Sequence, residues 1–365
     1  MGLTRESRMS SGPRNVCFVT GTRAEYGLMR TTLAAIDSHP DLRLRVLATG
    51  MHLDRSRGYS IDQIPQVDHV TPWPSDGAMA RNTGAAIADM ADAFDGLETE
   101  IVLVVGDRVE AFAGASAAAI GGRLVAHVHG GDRALGQLDD ALRHAITKLA
   151  HVHFAATQGS AERIRRLGEQ HTRVHVVGAP GIDGITDEAI DPGIDGDFAL
   201  LVYHPARADE DAEGAVIRRL LDETCNAFKT VVAIYPNNDP GSAGIASVLD
   251  ADDRPGLIKF RDVPRPRFLG LMRDTRVMVG NSSSGIIEAA SFCTPVIDVG
   301  PRQSGREHSA NVTHVTTDGV ATALRDVRPW AGTNVYGGDG TGARIADLLA
   351  DLPCDPAWRR KLITY

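Results

Sequence analysis

The stretch EIVLVVGDRVEAFAGASAAAIGGRLVAHVHGGD, residues 100–132, decides the fold class. EIVLVVG (100–106) and RLVAHVH (123–129) are short, β-branched apolar runs, and VEAFAGASAAAI (109–120) between them has helical length. Strand, helix and strand in succession are one βαβ unit of a parallel sheet. Each run is followed by an acid, Asp107 after the first and Asp132 after the second. In open α/β sheets, that is where ligands bind.

The same alternation extends both ways. NVCFVT (15–20), LRLRVLATG (42–50), VHFAAT (152–157) and VHVVGAP (174–180) read as strands, and EYGLMRTTLAAID (25–37) and SAERIRRLG (160–168) as helices. This predicts a polar tail over 1–14 and a Rossmann-like domain over 15–185. TDEAIDPGIDGD (186–197), rich in Asp, Gly and Pro, reads as a linker. Alternation restarts with FALLVYHP (198–205), KTVVAIYP (229–236), GLIKF (256–260), RVMVGNSSS (276–284) and TPVIDVG (294–300), a second doubly wound domain over 198–345. The last helical pattern, ARIADLLADL (343–352), places in 346–365 a helix that packs back on the first domain. The expected architecture is therefore α/β, two Rossmann-like doubly wound domains with the ligand site in the cleft between them.

A chain of 365 residues suits two domains at roughly 100 to 200 residues each. Hydrophobic content of 43% with 23% charged residues describes a globular protein. No apolar run approaches the ~20 residues of a membrane helix, and the polar N-terminal stretch lacks the apolar core of a signal peptide. A cytoplasmic location is expected. A net charge of −9 gives no general attraction to nucleic acid or to an anionic membrane, so an anionic ligand needs a local cationic cluster. Cys17, Cys225, Cys293 and Cys354 are widely spaced without a CxxC pair, which argues against disulfides and a cysteine zinc site. They read as buried small apolar residues.

The chemistry-bearing residues lie where strands end. Gly21-Thr22-Arg23 after the first strand puts Arg23 at a helix N-terminus, a place that suits an anion. Asp107 is followed by Arg108, and on its own Asp107 also fits a helix cap. After Asp132, Asp139 and Asp140 open a helix whose apolar face is Leu138, Ala141, Leu142, Ala145, Ile146, Leu149 and Val152, with Asp139 and Arg143 spaced as an i, i+4 ion pair. In the second domain, His204 ends its first strand. Asn281-Ser282-Ser283-Ser284-Gly285 leads into a helix, a loop of small residues with free amides that can cradle phosphate. Glu288 stands one turn on, within reach of ribose hydroxyls, and Arg302 and Arg306 follow TPVIDVG as phosphate clamps. His127-x-His129 and His151-x-His153 have the spacing of paired metal ligands, although such pairs also simply line strands. Gly338-x-Gly340-x-x-Ala343 imitates a dinucleotide fingerprint without a strand before it.

Taken in order, GTRAEYGLM, VVGDRVEAFA, HVHGGD, LDDALRHAITKLAHVHF, VGAPGID, YHP, GNSSSGIIEA, TPVIDVGPRQSGRE and YGGDG resemble the hydrolysing UDP-N-acetylglucosamine 2-epimerases that serve sialic-acid-type biosynthesis. The resemblance covers nearly the whole chain, and RHAITKLAH is its most specific part. It implies a GT-B-like fold, a homodimer or homotetramer, a UDP-sugar substrate and no cofactor. It makes Arg23 and Arg108 substrate-positioning groups, Asp107, Asp132, Asp139 and Asp140 the catalytic carboxylates, and His204 a cleft residue from the second domain. Ser282, Ser283, Ser284, Gly285, Glu288 and Arg302 fall at the nucleotide and diphosphate contacts. Two positions depart from the pattern: Asp132 stands where the family usually has Glu, and Leu135 where bacterial relatives often carry a polar residue. A carboxylate misplaced by about 1 Å can cost on the order of 100-fold in rate. Three alternatives therefore accompany the hydrolysing reading: a non-hydrolysing 2-epimerase, a catalytically impaired nucleotide-sugar-binding protein, and a metal-dependent hydrolase.

Overall fold

The computed structural model describes residues 12–55, 59–74, 78–133, 138–237, 239–353 and 355–364. Most of the expected tail, Leu135, Cys354 and part of the loop 49–60 lie outside them. The chain divides into two compact units, one running to Asp183 and resuming at Gly337, the other Gly184–Tyr336.

The first unit is built on strands β1 (Arg14–Thr20), β2 (Leu42–Ala48), β3 (His69–Val70), β4 (Ile101–Val105), β5 (Leu124–Val128), β6 (Val152–Ala155) and β7 (Val174–Val176). They pair in parallel in the order β3-β2-β1-β4-β5-β6-β7. Helices α1 (Arg23–Ser38), α2 (Met79–Gly96), α3 (Val109–Ile120), α4 (Leu138–Leu149) and α5 (Gln158–Arg166) make the crossovers. Alternate strand residues feed two cores. Val16, Phe18, Ile101 and Leu103 pack with Met29, Leu33 and Ile36 of α1, whereas Cys17, Val19, Val102 and Val104 pack with Met90 and Phe94 of α2 and Ile146 of α4. With both faces covered, the strands read as continuous apolar runs. β3 has only two residues, and so it carries no such run.

The second unit repeats the plan. After α6 (Ile185–Glu188) come β8 (Ala199–Val202), α7 (Glu210–Ala227), β9 (Val231–Ile234), α8 (Ser242–Ala251), β10 (Leu257–Phe260), α9 (Arg265–Asp274), β11 (Val277–Gly280), α10 (Ser283–Ile287), β12 (Val296–Val299), β13 (Val312–Val315) and α11 (Val320–Asp326). The strands are parallel in the order β10-β9-β8-β11-β12-β13. Its core joins Leu201, Val231, Val279 and Ile297 to Ile217, Leu220 and Leu221 of α7 and Val320 of α11.

The structure corrects both expected boundaries. Residues 186–197 are not a free spacer, because the Ile190 amide donates to Pro266 O at 3.1 Å and Arg267 and Arg273 donate to Pro192 O and Ala189 O at 3.0 Å each. The segment is laid along α9 within the second unit. The return occurs at Gly337, ahead of residue 346, and leads into α12 (Thr341–Ala350). The Asp183 carboxylate accepts from the amides of Gly340 (2.7 Å) and Gly342 (2.8 Å) and so caps that helix, which occupies the Gly340 amide of the apparent dinucleotide fingerprint. Ile345, Ala346 and Leu349 of α12 then join the α1 side of the first core.

Close approach of α12 to α1 depends on Gly342, where an added Cβ would stand 2.8 Å from the carbonyl of Thr31. Gly342→Ala is expected to cost about 1–3 kcal/mol, since backbone and not a flexible side chain must yield. Thermal unfolding checks this, and an unchanged midpoint would contradict the packing described.

Among the cysteines, Cys17 is buried as expected, whereas Cys225 is half-buried and Cys293 exposed. No helix among the described residues is long and apolar enough to cross a membrane.

Candidate functional site

Both sheets reverse their strand order at one point, between β1 and β4 in the first unit and between β8 and β11 in the second. Crevices at the carboxyl ends of strands at such points bind ligands in open α/β sheets. Arg23, Asp107 and Arg108 follow β1 and β4, and His204 and the Ser282–Gly285 loop follow β8 and β11. The candidate residues therefore cluster at the switch point of each sheet.

In the first unit, Thr22 caps α1, its hydroxyl accepting from the Glu25 amide at 3.2 Å, while the Glu25 carboxylate accepts from the Gly21 amide at 2.9 Å. This is a variant of the capping box, the glutamate reaching the amide one residue before the cap, and it is written in the sequence as T-x-x-E. Arg23, exposed, opens the helix. Arg108 forks onto the buried Glu110, with Nε and Nη2 at 3.2 and 3.1 Å from the two carboxylate oxygens. Burial, reinforced by Glu110, raises the Glu25 carboxyl to about 7, against the opposing charge of Arg108. Glu25 and Glu110 are thus site-proximal acids that attention to strand-end Asp residues overlooks.

Glu25 ties stability to pH. Its raised folded-state pKa means that the folded protein holds the proton more tightly, so its contribution is present below pH 4.5 and is lost as pH rises through about 7. Glu25→Gln keeps the shape of the protonated form. The variant is expected to match the parent at low pH and to gain on it towards pH 8, at about 2–4 °C of melting midpoint per kcal/mol. A gap that does not change with pH would contradict this.

Asp107 does not cap α3. The N-cap position is Arg108, without a side-chain cap, and Asp107 instead pairs with Arg143 of α4. Arg143 Nη1 also lies 3.9 Å from Asp140, whose other oxygen is 3.6 Å from His144 Nε2. Arg143 is therefore bound to Asp107 and Asp140, and the expected pairing with Asp139 gives way to these partners. Asp139 is exposed and acts electrostatically on Arg108.

Of the expected apolar face of α4, Ile146 is buried and Leu149 packs on the same core, whereas Leu142 and Ala145 are half-buried, Ala141 is exposed and Val152 belongs to β6; Arg143 and Thr147 are buried beside Ile146, continued by Ala150. The reason is chemical: α4 turns Arg143 and Thr147 inward to meet Asp107 after β4 and His127 on β5. Thr147 Oγ1 meets His127 Nδ1 at 3.2 Å, and Lys148 donates to Glu169 at 2.7 Å. His151 Nδ1 accepts from the Val125 amide at 3.1 Å. The polar residues of RHAITKLAH thus hold fixed partners, and this accounts for a motif that the bare fold does not require.

Asp132 belongs to a separate network. His129 Nδ1 lies 2.9 Å from one of its oxygens, and Ser160 Oγ donates to the other at 2.7 Å.

The four histidines disperse: His127 reaches Gly106 O, His129 Asp132, His151 Arg359 O and His153 Glu169. Among the described residues no group of three or more His, Cys, Asp and Glu is arranged to hold a metal ion.

In the second unit, Asn281 ties the two strand ends together, its side chain accepting from the His204 amide at 2.7 Å and donating to His204 O at 2.8 Å. His204 Nδ1 accepts from the Asn237 amide at 3.2 Å, which leaves the proton on Nε2. Burial, then the charge of Arg302, lowers its pKa to about 4. At neutral pH His204 is therefore an uncharged hydrogen-bond donor, and not the group titrating near neutrality that a strand-end histidine suggests.

Gly280 (φ 138) lets β11 pass close to β8, since a Cβ there would lie 1.9 Å from Val202 O. Ser282 caps α10, and Gly285 is buried behind it. Glu288 faces Arg265 at 3.5 Å, while its Oε2 is buried without a hydrogen-bond partner among the described residues; burial raises its pKa. Arg302 Nη1 donates to Asn281 O at 3.1 Å, which brings its guanidinium beside the serine loop. Burial lowers its pKa; Asp239 opposes this and Arg306 adds to it. A cation, backbone amides, serine hydroxyls and an acid at one strand end suit a phosphorylated ribose.

Comparison with known proteins gives the same direction. The family model described as UDP-N-acetylglucosamine 2-epimerase matches residues 34–350. A UDP-N,N'-diacetylbacillosamine 2-epimerase (hydrolyzing) of Legionella pneumophila is 36% identical, over 93% of this chain and 96% of that protein. A UDP-N-acetylglucosamine 2-epimerase of Neisseria meningitidis is 30% identical over 82% of this chain and 83% of its own. Among solved structures, the Neisseria meningitidis UDP-GlcNAc 2-epimerase bound to UDP-GlcNAc superposes with a TM-score of 0.77 at 19% identity, covering 92% of this chain and 99% of that one, a likeness of fold.

Proposed function

The chain belongs to the UDP-N-acetylglucosamine 2-epimerase family, and on that premise we propose that it is a hydrolysing member, converting UDP-N-acetylglucosamine or a related nucleotide-linked 2-acetamido sugar to the free manno sugar and UDP. The observation that carries the reading is the pair of switch-point clusters, carboxylates in the first unit and a cation with a serine loop in the second.

Ser282, Ser283, Ser284, Gly285, Glu288 and Arg302 hold the nucleotide diphosphate, and His204 donates Nε2–H to the same ligand. In the first unit Arg23 and Arg108 are substrate-positioning groups. A carboxylate removes the C2 proton while the diphosphate leaves C1, giving a 2-acetamidoglucal. Water adds at C1, and a proton returns to C2 from the opposite face. Two faces require two proton-transfer groups. Asp107 and Asp132 serve C2 and the leaving group, and Asp139 or Asp140 serves the water step. Charge grows on the departing diphosphate, so Arg302 stabilises the transition state more than the bound substrate. The enzyme works in the cytoplasm as a homodimer or homotetramer, without a cofactor.

A second reading of the sugar has a specific support, the 36% identity to a protein named for UDP-N,N'-diacetylbacillosamine. Phosphorus and proton NMR of the protein with each sugar nucleotide decides both questions. Appearance of UDP with a free manno sugar supports hydrolysis, and the faster substrate names the sugar. A nucleotide-linked epimer without UDP makes it a non-hydrolysing epimerase, and UDP binding without turnover makes it a binding protein.

A further inference from the structure

Asp132 stands in the loop after β5, and its surroundings carry more than its identity. The loop before it is held in uncommon backbone conformations: His129 is left-handed at φ 61 without being glycine, and Gly131 follows at φ 76. An added Cβ on Gly131 would stand 2.3 Å from Ser160 O, so the loop lies directly against the first turn of α5. Left-handed backbone at a non-glycine residue costs about 1–3 kcal/mol and persists where the surroundings enforce it.

That conformation brings His129 Nδ1 to 2.9 Å from Asp132 Oδ2, and Ser160 Oγ sits 2.7 Å from Oδ1. The hydroxyl of Ser160 also accepts from Thr157 Oγ1 and from Arg163 Nη2, each at 3.0 Å. A hydroxyl has one hydrogen and two lone pairs. With two donors directed at the oxygen, its hydrogen is committed to Asp132. A carboxylate oxygen can only accept, so the contact at Oδ2 is made by an Nδ1–H of His129 directed at Asp132, while His129 Nε2 is buried without a hydrogen-bond partner among the described residues.

We propose that His129 and Ser160 are positioning residues that clamp both oxygens of Asp132, holding it ionised and fixed as the proton acceptor of the site. Arg163, which also donates to Gly131 O, locks the clamp to the loop. The side chain is thereby anchored at both oxygens, and of the two carboxylates assigned to C2 and the leaving group Asp132 serves C2 and Asp107 the leaving group. The inference rests on the proposed hydrolase for its chemistry, but not for its geometry.

Ser160→Ala removes one donor and leaves intact the backbone amide that Thr157 caps. Losing a donor to the charged form raises the pKa of a carboxylate. The acidic limb of kcat/KM is expected to move up by about one pH unit and kcat to fall about 10–100-fold with KM little changed, and Ser160→Thr is expected to restore both. His129→Ala is expected to move the limb in the same direction. The carboxyl-carbon resonance of Asp132, assigned with Asp132→Asn, reads the same change without turnover, its titration midpoint rising in Ser160→Ala. A limb and a midpoint that stay in place in Ser160→Ala overturn the clamp. Absence of UDP release by the parent protein from every sugar nucleotide overturns the hydrolase reading instead, and the resonance still tests the clamp.

Discussion

Asp107→Asn is expected to lower kcat by about 10²–10⁴-fold while leaving UDP affinity within about twofold, the range for loss of a positioned proton-transfer group. Asp107 follows β4 at the switch point and is held by the buried Arg143, which also reaches Asp140. Asparagine preserves the shape and can still accept from Arg143, so the substitution removes charge and proton affinity with little change in packing. The nucleotide contacts proposed in the second unit are untouched. Steady-state UDP release and calorimetric UDP binding separate the two quantities. Activity within about tenfold of the parent would remove Asp107 from the catalytic set.

Arg302→Met is expected to act in the opposite manner, lowering UDP affinity as well as kcat/KM, the latter by about 10²–10³-fold, as for loss of an electrostatic stabiliser of a developing anion. The guanidinium lies beside Asn281 O, and burial disfavours its charge even with Asp239 opposing, so an incoming diphosphate adds counter-charge at close range. Arg302→Lys is not expected to restore full activity, because an ammonium lacks the planar fork. UDP affinity unchanged in Arg302→Met would place the diphosphate elsewhere.

The architecture was legible because parallel strands buried on both faces leave continuous apolar runs, as in EIVLVVG. Elements without that mark escaped notice: β3 has two residues, β13 keeps only Val312 buried, and α2 hides its inner face among alanines. The unit boundaries were missed because they depend on long-range contacts, the seating of 186–197 on α9 and the capping of α12 by Asp183, for which composition gives no signal. The positions of Asp107 after β4, Asp132 after β5 and the serine loop after β11 were legible. Their partners were not, since Arg143 looked like the i+4 mate of Asp139 and the histidines like possible metal ligands. Only Glu25 had a local signature that could have been read, the T-x-x-E of its capping box.

The central claim is cleavage of the bond between C1 and the diphosphate oxygen, with inversion of C2 through an exchanged proton. Turnover in water enriched in oxygen-18 and deuterium tests it in one experiment, analysed by mass spectrometry of both products. The account predicts a released manno sugar carrying deuterium at C2 and oxygen-18 at C1, with unlabelled UDP. Oxygen-18 in the UDP and an unlabelled sugar of unchanged configuration would mean attack at phosphorus, and would contradict it.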